Sequence, residues 1–362
     1  MKFNPQLYIP CLLWKQGEYQ ALSKLSSIAQ DSIIPLIEVA EIGFDFQSGT
    51  CCKTIDEHLY HFAKRVRDKW GKKECLVDIR HIGSSKLMAN GQHPGTFVFD
   101  DLRSKGVLAT PVIGIILDPQ FQFAINQVIS IDGRGLCLRV NIEEVAKVSF
   151  DNLMQNLIKS YGLAIEQCDL IIDLRAPNFE PLDGFAGLLT NIIRNLPNLD
   201  LWRSIGIIGT SFPPSLGGLK PGISIIPRNE WLLYKLLEAN LKGHGIRVPS
   251  FGDYAINHPD QLPLDMRLVK PNASVRYTIK DNWLIVKGQN VRDYGYTQYE
   301  ELCQMVVKSN YYCGQQFSTG DEYIFACSKN QVSTGNLTTW RWVGTNHHIE
   351  MVARDVANLA AS

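Results

Sequence analysis

Charged and hydroxyl residues recur at one kind of position in this chain, the last residues of short apolar runs. Lys15 follows "LYIPCLLW", Glu38 stands near the end of "IIPLIEV", and Asp78 with Arg80 closes "ECLVDIR". Asp118 closes "TPVIGIILD", Arg139 falls late in "GLCLRVN", and Asp173 with Arg175 closes "CDLIIDLR". Ser211 ends "SIGIIGTS" and Arg228 ends "GISIIPR". At the starts of the runs charge is less regular, with Glu74 opening "ECLVDIR" and Asp169 second in "CDLIIDLR". Arginine and lysine gathered in one place hold phosphate or carboxylate, arginine in bidentate fashion. Glutamate and aspartate beside them supply a general base and acid, or oxygen ligands for a hard cation such as magnesium. Together they suit recognition of a phosphorylated or nucleotide-like ligand, and hydrolysis of a phosphodiester. Glu38, Asp78 and Asp173 are the candidate catalytic groups; Lys15, Arg80, Arg139, Arg175 and Arg228 are the candidate anion holders. No fixed spacing marks a metal site, and the basic side chains counteract the charge a metal would bring. No metal ligand is therefore assigned, and the cofactor is left open, with magnesium as the one candidate.

Any one of these charges has an ordinary reading, as a solvated loop start or half of an ion pair. The set has a stronger one. An ionic ring inside a protein is costly to desolvate without a ligand or function.

The elements that would gather these residues are legible. The eight runs are nearly continuous in apolar residues, as parallel strands covered on both faces are. Pro10, Pro35 and Pro111 sit early in their runs, where a missing amide donor costs least. Between the runs lie amphipathic helix patterns, with Leu22, Leu25 and Ile28 on one face, then Leu59, Phe62 and Val66, then Leu153, Leu157 and Ile158. Strand and helix alternating eight times predict a (β/α)8 TIM-like barrel over residues 1–245. The rival is an open doubly wound sheet, weakened by the lack of a glycine-rich fingerprint after the first run. Beyond residue 245 the pattern changes to a hairpin at "RYTIKDNWLIVKG" followed by helices. Residues 246–362 thus read as a C-terminal α+β extension packed on the barrel and partly covering its mouth.

In such barrels the active site lies at the C-terminal strand ends. Side chains two apart on a strand share a face, which pairs Asp78 with Arg80 and Asp173 with Arg175. Glu18 stands in the first turn of the helix after Lys15, where the helix dipole favours an anion. "GTSFPPSLGG" makes Ser211 a phosphate-facing candidate, and "SFGDYAI" offers Asp253 or Tyr254 to the mouth. "WRWVGTNHHIE" holds Trp340 and His347 around a glycine, as a loop to fold over the mouth. His347 would be a general acid or base there, and Trp340 a stacking surface for a base; the ordinary alternative is a histidine capping the last helix. His58 and His61 read as surface residues. Neither a G-x-S-x-G elbow nor a P-loop is present.

Composition narrows the class. Lysine plus arginine equal aspartate plus glutamate at 36 each, so a broad electrostatic footprint for nucleic acid is absent. Nine cysteines occur without a C-x-x-C pair, and Cys11, Cys75 and Cys137 lie inside apolar runs. Free buried thiols suit a reducing cytoplasm. The start "MKFNPQLYIP" lacks a signal-peptide segment. No run approaches the roughly 18 apolar residues of a membrane span.

The N-terminal block resembles the beta protein family of tailed phages and bacteria. That family shows Tyr-x-Pro-x-Leu, then Lys-x-Gly-Glu-x-x-Ala-Leu, then a Pro-Leu-x-Glu strand. Here these fall on Tyr8, Pro10, Leu12, Lys15, Gly17, Glu18, Ala21, Leu22, Pro35, Leu36 and Glu38. Gln16, between Lys15 and Gly17, occupies a variable position. The similarity runs along most of the chain, through Asp78, Asp173, Arg175 and the closing "HHI". It implies a phage or bacterial cytoplasmic setting and a part in phage–host conflict, and brings no reaction with it. Two other readings stay open: a non-catalytic binding or scaffold protein in that conflict, and a purely structural ring with a partner protein held on the outer surface.

Overall fold

The apolar runs become strands, and they close on one another. The computed structural model describes residues 3–82, 86–115, 118–260 and 268–361. The strands are β1 (Ile9–Leu13), β2 (Leu36–Glu38), β3 (Phe44–Asp45), β4 (Thr50–Cys51), β5 (Glu74–Asp78), β6 (Leu108–Ile113), β7 (Leu136–Asn141), β8 (Cys168–Asp173), β9 (Ser204–Gly209), β10 (Gly222–Pro227), β11 (Ser250–Asp253), β12 (Asn272–Ile279) and β13 (Asn282–Asn290). The order β1-β11-β9-β8-β7-β6-β5-β2 forms a closed barrel with every pair parallel. The (β/α)8 expectation holds. Ile116 and Leu117 of the predicted fourth run lie outside the described residues.

One predicted strand is displaced. "GISIIPR" is not a barrel strand: as β10 it pairs antiparallel with β13, which pairs with β12, in a separate three-stranded sheet. The eighth stave is the shorter "SFGD" of β11, between β9 and β1. Its Gly252 is required there, because a Cβ would lie 2.6 Å from the Ile9 carbonyl oxygen.

The division at residue 245 changes with it. The closing strand Ser250–Asp253 and the last helix, Leu337–Ala361, both lie beyond that point. Ile349, Val352, Ala353 and Val356 of this helix join Tyr8, Leu22 and Leu25 in one core, so the last helix fills the eighth helix position. The antiparallel sheet is therefore a pair of insertions. β10 comes from the segment after β9, while β12 and β13 come from the segment between β11 and the last helix. A second core, including Val275, Tyr277, Val286, Trp340 and Val343, fixes this sheet to the helices around it.

The helical ring follows two of the predicted faces with local breaks; in the third, Leu153 is exposed and Phe150, Met154 and Ile158 form the buried face of the helix Phe150–Ser160. Leu22 and Leu25 are buried, but the helix Gln16–Ser23 ends before a second one at Ser27–Asp31, and Ile28 turns outward. Leu59, Phe62 and Val66 are buried across a similar break. Inside the barrel, Ile9, Cys11, Leu36, Leu76, Val112, Cys137, Ile171 and Ile208 form a closed apolar plug. Two residues further along each of several strands, the same inward direction brings up the charged residues.

Candidate functional site at the barrel mouth

Strand parity builds the site. Leu36 and Leu76 face inward, so Glu38 and Asp78 do too, and they are paired in register. Ile171 carries Asp173 inward in the same way, and Cys137 carries Arg139. The guanidinium of Arg139 lands between three carboxylates. Its NH1 donates to Glu38 at 2.7 Å and to Asp78 at 3.0 Å, and its Nε donates to Asp173 at 2.9 Å. Its NH2 donates to the Tyr254 hydroxyl at 2.8 Å, and that hydroxyl lies 2.8 Å from each Asp173 oxygen. All of these groups are buried. Taking an arginine out of water costs several kcal/mol, which only close pairing offsets. Three acids around one base supply it.

The ring is a charge-organised floor. Burial pushes the Glu38 carboxyl upward, but the charge of Arg139, with His81 beside it, outweighs burial and holds it below the ordinary range, so Glu38 is ionised. Burial pushes the Tyr254 hydroxyl well up, keeping its proton for Asp173. Among the described residues no three His, Cys, Asp or Glu side chains are grouped to hold a metal ion. The three carboxylates that would be its natural ligands already surround a guanidinium.

Two cavities open on either side of this floor. The larger, about 530 Å³, is lined by Asp78, Arg80, Asp118, Glu144, Asp173 and Arg175 among others. Its acids are occupied. Asp78 accepts from the backbone N–H and Nε of Arg80, at 3.0 and 2.6 Å. Asp173 also accepts from the backbone N–H of Arg175 at 2.8 Å. Asp118 caps the helix Pro119–Asp132, and Glu144 closes a capping box with Asn141. Its arginines are less committed. Arg80 uses Nε and the backbone, and its terminal nitrogens make no hydrogen bond among the described residues. Arg175 pairs through NH2 with Asp260, and both side chains are about half exposed, at 48% and 59%. Such exposed pairs are weak and exchange readily.

The smaller cavity, about 270 Å³, is lined by Glu38, Glu41, His81, Tyr254, Asn257 and His258, with Asp260 at its rim. Glu38 gives Oε1 to Arg139, while Oε2 faces Nε2 of His81 at 3.7 Å. Glu18 is buried and accepts from Asn257 at 2.8 Å, so it holds the wall and does not face the ligand space.

The other predicted site residues lie elsewhere. Lys15 is exposed at the start of its helix and lines neither cavity. Arg228 is buried between the turn at Lys280 and the last helix, beside Glu230 and Asp355, at 3.5 Å from each. Ser211 donates to Glu230 at 2.7 Å and accepts from the Asn229 N–H at 2.9 Å, serving the helix Asn229–Gly243. The "WRWVGTNHH" segment is helical, not a loop. His347 is fully buried, with Nδ1 2.8 Å from Asp321, Nε2 2.8 Å from the Thr278 carbonyl and its ring stacked on Tyr277. Trp340 stacks on Tyr299 at 4.3 Å in the second core. Neither reaches the mouth, because Gly344 lets this helix press against the Arg276 backbone.

His81, Glu41, Asn257 and His258 are mouth residues that the sequence reading passed over. His81 directly follows Arg80, so its place past a strand end was visible. His258 and Asn257 become visible only once β11 is the eighth stave.

Comparison with known proteins places the chain in a family. It belongs to the Beta protein family, whose model matches residues 8–354. No curated protein matches it. Among solved structures it is similar to a GH18 chitinase from Pseudoalteromonas aurantia, at 10% identity and a TM-score of 0.38, over 68% of this chain and 93% of that one. It is also similar to triosephosphate isomerase from Bartonella henselae, at 11% identity and a TM-score of 0.33, over 68% and 92% of the two chains. A family 5 glycoside hydrolase from Prevotella bryantii aligns at 9% identity and a TM-score of 0.36, over 72% and 94%. Among the described residues no helix is long and apolar enough to cross a membrane.

Proposed function

We propose that the mouth of this Beta protein family barrel binds a phosphorylated or nucleotide-like molecule, with its anion between Arg80 and Arg175. One observation carries this reading: the larger cavity's carboxylates are spent on internal donors, while its two rim arginines keep donors to spare. Bidentate capture of phosphate needs such a planar pair of N–H groups. The remainder of the ligand would extend over the Arg139 floor towards Glu38 and His81. The setting is a reducing cytoplasm, bacterial or phage-infected, which the free thiols support.

Hydrolysis, in this reading, belongs to the smaller cavity. Glu38 is ionised and held low, which makes it a weak base but a good partner for an imidazole. His81 would take the proton from a water attacking phosphorus and return it to the leaving oxygen as the ester P–O bond breaks, with Glu38 orienting the ring. Asp78 and Asp173 act as fixed members of the floor. Their saturation favours a second reading, a binding module without turnover, in which the floor only positions the rim arginines.

Thermal-shift titration with nucleotides, sugar phosphates and inorganic phosphate tests the binding, since a ligand of the native state raises the melting temperature. A shift in the wild type that is lost in R80Q/R175Q supports it. A shift unchanged by that double substitution, or no shift with any of these compounds, overturns it. Turnover abolished in H81A with the shift retained would separate hydrolysis from binding alone.

A further inference from the structure

The outer strand of the inserted sheet is an open edge. β13 pairs with one side of β10, and no strand of the described residues pairs with the other. The direction of its main-chain groups follows from parity. Arg228 N–H donates to the Asp281 carbonyl at 2.9 Å, so Arg228 faces β13. By alternation Ile226, Ser224 and Gly222 face β13 as well. Pro227, Ile225 and Ile223 then face outward. The Pro227 carbonyl does so visibly, its oxygen lying 3.1 Å from the Ser211 hydroxyl oxygen. Ile223 and Ile225 are left with two N–H and two C=O groups on the free edge, and their side chains are 52% and 48% exposed. Edges of this kind are usually blunted with charge, bulges or proline. Here Pro221 and Pro227 bracket the segment, and nothing charged lies between them.

We propose that β10 pairs antiparallel with β10 of a second copy of this chain, across a two-fold axis through Ser224. The argument is self-complementarity. With Ser224 on the axis, Ile223 stands opposite Ile225 of the second copy, and Ile225 opposite its Ile223. All four open groups then find partners in four reciprocal hydrogen bonds, and both exposed isoleucines gain a cross-strand neighbour. Any other offset by one residue turns the open groups away from each other. The strand pair alone is smaller than the roughly 800 Å² per partner of a stable interface, so the dimer is weak and reversible.

Cross-linking tests it in the full chain. Ser224 would face its own copy in a non-hydrogen-bonded pair, with Cα atoms about 4.5 Å apart, within disulfide reach. Cys51, Cys52 and Cys313 are exposed and are first replaced by serine. In that background S224C is expected to form a disulfide-linked dimer under mild oxidation, and sedimentation of the unsubstituted chain should show average mass rising with concentration. Adding I225K should abolish both while circular dichroism stays unchanged. An S224C chain that stays monomeric, or one that cross-links equally well with I225K present, overturns the proposal; the first result would leave the edge to an extended segment of a different protein.

Discussion

Arg139 on β7 reaches Glu38 on β2 at 2.7 Å, across 101 residues of chain, and the same guanidinium nitrogen lies 3.0 Å from Asp78. One nitrogen thus joins two neighbouring carboxylates, while the rest of the group holds Asp173 and Tyr254. The guanidinium is the fixed cation of the mouth. Its planar fork matters as much as its charge, because a lysine ammonium is a single point and cannot span these partners.

Removing it should expose the cost of the acids it compensates. R139M leaves Glu38, Asp78 and Asp173 buried and mutually repelling, and we expect a loss of about 3–5 kcal/mol at neutral pH. R139K should recover only a small part. The gap between R139M and the wild type should narrow as the pH falls, because the stranded carboxyls then take up protons. Urea unfolding at several pH values checks this. A gap that is constant with pH would mean that packing, not charge, was lost.

Glu38 gives a pH dependence of known sign. Burial opposes its charge, yet Arg139 and His81 hold its carboxyl below the ordinary range. In the unfolded chain it titrates at its ordinary value of 4.5. Between these values the unfolded state binds more protons, so stability rises with pH. Its contribution is present in full above the unfolded value and is lost as the pH falls towards the folded one. E38Q should flatten the slope of unfolding free energy in the acid range. An unchanged slope would assign the acid sensitivity to other carboxylates.

Glu230 acts in the opposite direction. Burial, opposed by Arg228, raises its carboxyl from 4.5 to about 7. Here the folded state binds more protons, so this group's effect on stability worsens as the pH rises from 4.5 through 7. The full cost, roughly 3 kcal/mol, applies above that window. Its Oε1 has no hydrogen-bond partner, while Oε2 accepts from Ser211 at 2.7 Å. E230Q keeps an acceptor for Ser211 without the charge. It should be more stable than the wild type at pH 8 and close to it at pH 5, by thermal melting. Equal differences at both pH values would remove the titration from the explanation.

Much of this was legible because the strand period is two. Given that Leu36, Leu76, Cys137 and Ile171 plug the barrel, Glu38, Asp78, Arg139 and Asp173 had to follow them inward. The charges past the strand ends escaped the rule. Arg175 leaves the strand with φ 57, and its side chain turns to Asp260 instead of stacking above Asp173. The eighth stave was hidden by length. "SFGD" is four residues with a glycine and an acid, whereas "GISIIPR" carries a stronger apolar signal and forms an exposed edge strand. His347 misled for a related reason: a polar residue beside a glycine reads as a loop, but Gly344 serves a close helix contact and His347 pairs with a buried aspartate.

That close contact gives the last prediction. A Cβ on Gly344 would stand 2.9 Å from the Arg276 carbonyl oxygen and 2.8 Å from the Ile256 side chain. The first neighbour is backbone and cannot rotate away. Alanine improves helix propensity by about 1 kcal/mol, but overpacking costs about 1–3 kcal/mol, so G344A should destabilise. Gly187, in the helix Leu182–Arg194, has nothing within 4 Å of its added Cβ. G187A should therefore stabilise, by up to about 1 kcal/mol. The two helix glycines thus predict opposite signs from one substitution. Gly344 also bears on the mouth, because Arg276 donates to the Ile256 carbonyl at 2.9 Å, two residues from Tyr254. G344A should weaken any ligand-induced melting shift, and G187A should leave it unchanged. If G344A stabilises, the last helix is not pressed against the inserted sheet as closely as the geometry states.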